Sequence, residues 1–200
     1  LAYYDTPMTK LEAVNICLSS MGEPVVNTLD GAAIDAQMAS DLIDETSRSV
    51  QGMGWHWNRE QHTLSPNVSN EIVLPANTIR VDTVNESRSV NVVYRNGKLF
   101  DVENATFQFD KELKLEIYVV LPFEHIPFAA KQFVTARAAR LLQVRLLGSE
   151  TLNKFNMADE QRAWVALMQE EAETFDGNML TDSWSTRSII TRGYFARGAY

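Results

Sequence analysis

Apolar positions divide the chain into two helical stretches, a stretch of strands, and two further helical stretches. Leu11, Val14, Leu18 and Met21 recur every three or four residues, the period of one helix face. Thr9 and Glu12 have the spacing of a capping box just after Pro7, and Gly22 with Pro24 stops the helix. A second helix is predicted over residues 32–53. Ile34, Met38, Leu42, Val50 and Met53 form its apolar stripe, and Asp35, Asp41, Asp44 and Glu45 fall largely off it. Gly52 and Gly54 then release the chain into "WHWN".

Between residues 59 and 121 the period shortens to that of strands, in "EIVLP", "IRVDTV", "VNVVYRNGKLFDV" and "KLEIYVVL". Asn96-Gly97 is the sharpest local signal, because a two-residue type I′ turn needs positive φ at both central positions and these residues tolerate it. The pattern predicts a small antiparallel sheet with a hairpin tip at Asn96 and Gly97.

Helical periodicity returns at Pro127 and continues through Phe133, Val134, Leu141, Val144 and Leu147 to Gly148. A fourth helix, capped by Ser149, carries Leu152, Phe155, Trp164, Leu167 and Met168 towards Phe175. No one of these helices can hide its apolar stripe alone, so the four are expected to close on one another as a bundle. The predicted fold is α+β: a four-helix bundle from residues 1–58 and 125–178, an antiparallel β insertion at 59–124 between helices two and three, and an extended C-terminal tail at 179–200.

At 200 residues and 45% apolar content the chain can bury a substantial core. Its longest apolar stretches, such as "LEIYVVLPF", fall short of the roughly 20 residues that cross a bilayer, and the opening residues lack a charged-then-apolar leader pattern. A single cysteine, Cys17, fits folding in a reducing compartment and a small buried apolar role. The net charge of -8 is unevenly spread. Residues 183–200 hold Arg187, Arg192 and Arg197 among Trp184, Ile189, Ile190, Tyr194, Phe195 and Tyr200, with no acid. The body should therefore repel nucleic acid, while the tail should seek an acidic or apolar partner surface.

Candidate chemistry is sparse. His56, His62 and Asp82 lack the spacing of a zinc ligand set, there is no nucleophile elbow, and the nine glycines form no phosphate cradle. Neither a cofactor nor a metal site is expected. Acids cluster at Asp41, Asp44 and Glu45, at Asp101 and Glu103, and at Glu170, Glu171 and Glu173. They are read as solvated faces, with a glycosidase-type carboxylate pair as the alternative. The third helix carries Lys131, Arg137, Arg140 and Arg145 and no acid. Pairing with acids across the helices or a subunit boundary is the expectation, because these bases project over a wide arc; the alternative is that some line a passage for nucleic acid. A nucleic-acid-binding regulator is disfavoured by the net charge and the absence of a compact basic face. Trp55 and Trp57, if the segment is extended, point the same way and plug the gap between helices and sheet; a sugar-stacking platform would need them exposed.

"LEAVNICLSSMGEPVVNTLDG" at residues 11–31 and "SVQGMGWHWNRE" at 49–60 resemble tail tubular protein A of short-tailed bacteriophages, with Trp57 where that family more often has phenylalanine. The helix pair, "NML" at residues 178–180 and "ITR" in the tail agree with it. The resemblance implies a structural virion-tail protein, assembled in the host cytoplasm, that acts as adaptor or gatekeeper below the portal. It further implies a twelve-subunit ring between the portal protein and the tail nozzle, tail-fibre attachment nearby, and DNA passing through without sequence-specific binding. Under that reading the residues 187–200 named above are expected to meet the portal or a neighbouring subunit. The runner-up reading adds a cell-envelope glycan hydrolase activity carried by one of the acid pairs.

Overall fold

The structure is a computed structural model and describes residues 7–174. Two helices, α1 (Lys10–Ser19) and α2 (Ile34–Gln51), precede five strands: β1 (Arg59–Leu64), β2 (Thr78–Thr83), β3 (Val92–Arg95), β4 (Lys98–Asp101) and β5 (Leu113–Val119). Helices α3 (Phe128–Leu146) and α4 (Glu150–Thr174) follow. The chain is thus α+β, with four helices and small antiparallel sheets among the described residues.

The capping box forms as its spacing predicts: Thr9 Oγ1 accepts from the Glu12 N–H, and Glu12 Oε2 accepts from the Thr9 N–H at 2.7 Å. α1 buries Ala13, Val14, Cys17 and Leu18. α2 is turned away from its predicted stripe. Leu42 and Val50 are buried, but Ile34 is 75% exposed, and Met38 and Met53 are exposed too. The buried face instead runs through Ala36, Ala39, Leu42, Ile43, Thr46, Ser47 and Val50. Small residues let α2 approach α1 and α3 closely, and that close packing outweighs the burial of three larger but off-face side chains.

α3 is the common partner of the helices, packing against α1, α2 and α4. It buries Phe133, Val134, Ala138 and Leu142, while Val144 and Leu147 are exposed. α4 lies along α3 and buries only Leu167 fully; Leu152, Phe155 and Met168 are exposed.

β5 is the centre of a three-stranded sheet ordered β1-β5-β2. β1 pairs from Arg59↔Tyr118 to Leu64↔Leu113, and β2 pairs through Val81↔Ile117. β3 and β4 form the hairpin predicted around Asn96 and Gly97, whose φ angles of 50° and 76° suit a type I′ turn. The "EIVLP" run is not a regular strand; Glu71 and Val73 make only isolated bridges, to Gln108 and Lys98.

Two apolar cores result. One joins the helices with Trp55, Phe123 and Ile126; the other joins Ile72, Leu74, Val81, Leu99, Leu113, Leu115 and Ile117. Leu121 packs against both. The joint between them is polar. Fully buried Asn58 donates to the carbonyls of Gln51 (2.9 Å) and Val119 (3.1 Å) and accepts from the Trp55 N–H. The Asn58 carboxamide thus has protein partners for both its oxygen and its nitrogen and ties the end of β5 to the end of α2, while the neighbouring Trp57 Nε1–H is buried with no partner among the described residues.

Candidate functional site

The joint brings the two tryptophans together, but not on an extended segment. Trp55 is extended and residues His56–Asn58 form a 3-10 turn, because the Asn58 carboxamide accepts the Trp55 N–H. The rings nevertheless stack nearly parallel, 6.3 Å apart, and Trp164 of α4 meets Trp55 edge-on at 5.8 Å. Trp55 is buried and donates its Nε1–H to the Val50 carbonyl at 2.7 Å. That leaves no exposed platform of two rings for a sugar.

The bases of α3 face different elements. Lys131 is fully buried and donates to the Glu124 carbonyl at 2.9 Å; burial pushes its ammonium below the ordinary range, opposed by the Glu124 charge. Arg140 donates through Nε to Glu160 of α4, and Arg137 lies 3.9 Å from the same carboxylate. Arg145 lies 3.6 Å from Glu45 of α2. In the sequence nothing distinguishes Glu160 from the other acids of α4. Its signal is spatial, since the turn at Gly148 folds α4 back along α3.

A groove of about 430 Å³ opens beside this cluster, lined by Phe133, Trp164, Met53 and Met157 with Arg137 and Arg140. Phe133 and Trp164 form its aromatic floor, 5.0 Å between centroids.

The acid clusters are held apart. Asp44 pairs with Lys10 at 2.7 Å, Glu45 with Arg145, and Asp41 is exposed. Glu171 accepts the His56 backbone N–H at 2.9 Å and meets its ring Nδ1, tying α4 to the joint. Glu173 accepts from Gln169, and Glu170 is half-buried. Asp101 is buried and accepts from the N–H groups of Glu103 and Asn104 and from the Asn104 side chain. The Asn104 N–H in particular holds its carboxyl below the ordinary range, the opposite of what a general acid needs. Asp101 and Asp110 line a recess of about 470 Å³, where Asp101 acts as the staple of its own loop. Glu103 is exposed.

His62 pairs with Glu60 of its own strand at 2.7 Å, and Asp82 accepts the Thr83 N–H. Among the described residues no group of three or more His, Cys, Asp or Glu converges as a metal would require, and no helix is long and apolar enough to cross a membrane. Asn96 and Gly97 form the hairpin tip. Arg187, Ile189, Ile190, Arg192, Tyr194, Phe195, Arg197 and Tyr200 lie outside the described residues.

The geometry therefore defines an α+β protein in which Lys10–Asp44, Arg145–Glu45 and Arg140–Glu160 pair across its helices, with an aromatic-floored groove on the helical side. Residues 11–176 match the tail tubular protein family, and the chain belongs to that family, a component of phage virion tails. Among curated relatives, Tail tubular protein A of Klebsiella phage KP34 is 25% identical over 164 residues, covering 82% of this chain and 87% of that protein. The family match spans both helix pairs and the strands between them.

Proposed function

We propose that the chain is a structural adaptor of the phage tail, a ring-forming gatekeeper that joins the portal protein to the tail nozzle. The observation that carries this reading is the family match over residues 11–176, which takes in all four described helices and all five strands. In this reading residues 1–58 and 125–178 form one helical bundle, 59–124 a β-rich projection and 179–200 an extended tail. Copies assemble in the host cytoplasm into a ring of twelve. DNA passes through the middle without sequence-specific contact, which suits a chain of net charge -8, because strong phosphate contacts would hold DNA during ejection.

Each partner has a candidate surface. The basic, aromatic tail meets the portal or a neighbouring subunit, with Tyr194 and Phe195 as apolar anchors and the arginines setting register. The β projection meets the nozzle or a tail fibre; β1 lies at one edge of its sheet, where another chain can add a strand. The decisive experiment mixes the purified protein with purified portal rings and images the product by electron microscopy. Twelve copies capping the portal support the reading. Absence of binding at every salt concentration overturns it.

A further inference from the structure

The groove between α3 and α4 has more positive charge than its own residues neutralise. Two guanidinium groups, Arg137 and Arg140, share the single carboxylate of Glu160. Arg140 uses its Nε–H there, whereas Arg137 stands 3.9 Å away, beyond hydrogen-bonding distance, with its side chain 34% exposed. Most of the N–H donors of the two forks thus have no acceptor among the described residues. Beside them lie the thioether chains of Met53 and Met157 and the Trp164 ring, a floor that would favour an apolar side chain next to a carboxylate.

A surface of that chemistry lies on α2 of the same chain. Ile34, Met38, Asp41 and Glu45 follow one another at i, i+4, i+7 and i+11, a single row on one helix face, so Asp41 and Glu45 lie beside Ile34 and Met38 and not off their stripe as expected from the sequence. Ile34 and Met38 are the large apolar side chains that α2 leaves outside the core, and Asp41 is exposed with no partner among the described residues. Glu45 is held only loosely, 3.6 Å from Arg145 with both side chains more than half exposed.

We propose that the α2 row of one copy docks in the α3–α4 groove of the next, with Asp41 facing Arg137 and Arg140 and with Ile34 and Met38 against Met53, Met157 and Trp164. The row and the groove are different surfaces, so the contact is heterologous. It repeats from copy to copy and closes as a ring or continues as a filament. This deepens the adaptor reading by naming the surface between copies, and it needs no portal for its test.

The test is sedimentation velocity of the full chain over a concentration series without portal, together with disulfide trapping between Met38→Cys and Met157→Cys. Buried Cys17 gives little background in the trapping experiment. The expected result is association that Asp41→Arg weakens about tenfold or more, that Arg137→Glu weakens likewise, and that the two changes together restore. Asp41 is exposed on α2, so its variant keeps the proposal testable if Arg137→Glu disturbs the α3–α4 packing. A chain that stays monomeric at its highest soluble concentration and gives no trapped disulfide overturns the proposal. So does an Asp41→Arg variant that associates as the parent does. Association through this surface combined with failure to cap portals would count against the adaptor reading alone.

Discussion

The side-chain amide of Gln51 is paired with the backbone of Leu121: the Leu121 N–H donates to Oε1 at 2.7 Å, and Nε2 donates to the Leu121 carbonyl at 2.9 Å. Gln51 is fully buried at the last position of α2, and Leu121 is where the chain returns from β5 to the helices. Asn58 donates to the carbonyl of the same Gln51, so the two side chains together form the polar joint.

Replacing Gln51 with Leu should therefore be expensive although the residue is apolar and similar in size. It strands the N–H and C=O of Leu121 in a partly buried place, and destabilisation of about 1–3 kcal/mol is expected. Urea unfolding followed by circular dichroism measures it; a change below the error of the extrapolation would mean that the joint relaxes or admits water.

Gly54 tests the same joint by shape. Its φ is +84°, and a Cβ there would stand 2.9 Å from Tyr118 Cε1 and 3.0 Å from Arg80 Nη2, in the place where the Arg80 guanidinium lies over the Tyr118 ring. Gly22 has a similar φ of +81° and open space around it. Gly22→Ala should show the backbone effect alone, about 1–2 kcal/mol, and Gly54→Ala clearly more, roughly 2–4 kcal/mol. Equal values for the two would show that Tyr118 and Arg80 move aside freely.

Glu171 and Glu60 offer a paired comparison. Both meet a histidine, but Glu171 also accepts the His56 backbone N–H and links α4 to the joint, whereas Glu60 and His62 are neighbours on one exposed strand. Glu171→Ala is expected to lower stability by about 1–3 kcal/mol and to raise hydrogen exchange at the end of α4. Glu60→Ala should stay within about 0.5 kcal/mol. Exchange at α4 that does not change in the first variant would show that the helix end is held by packing alone.

Cys17 should report unfolding. Burial pushes its thiol up from 9.0 to about 12, so the native protein should resist alkylation at pH 8 and react only as it opens. The sign of the linked stability follows. Between about pH 9 and 12 the unfolded thiol loses its proton while the native one keeps it, so native stability falls as pH rises through that window. Rapid labelling under native conditions would place the thiol at the surface, and Cys17→Ala should remove its share of the alkaline loss.

Local chemistry was legible in the sequence wherever it depended on neighbours along the chain. Thr9 with Glu12 formed the capping box, Asn96-Gly97 formed the hairpin tip, and the change of period after residue 59 marked where helix gives way to strand, because each rests on contacts within a few residues. The family resemblance is likewise most specific in short stretches near the start, and the family match covers residues 11–176. What depended on distant partners was not legible. Periodicity placed Ile34, Met38 and Met53 on the core face of α2, but the core chose Ala36, Ala39 and Ser47, since which face is buried is set by how closely α1 and α3 can approach. The same holds for Glu160, Gln51 and Asn58. Each is an ordinary polar residue until the turn at Gly148 brings α4 back along α3, or the end of β5 arrives beside α2, and a partner far along the chain supplies the hydrogen bond or charge that makes its burial favourable.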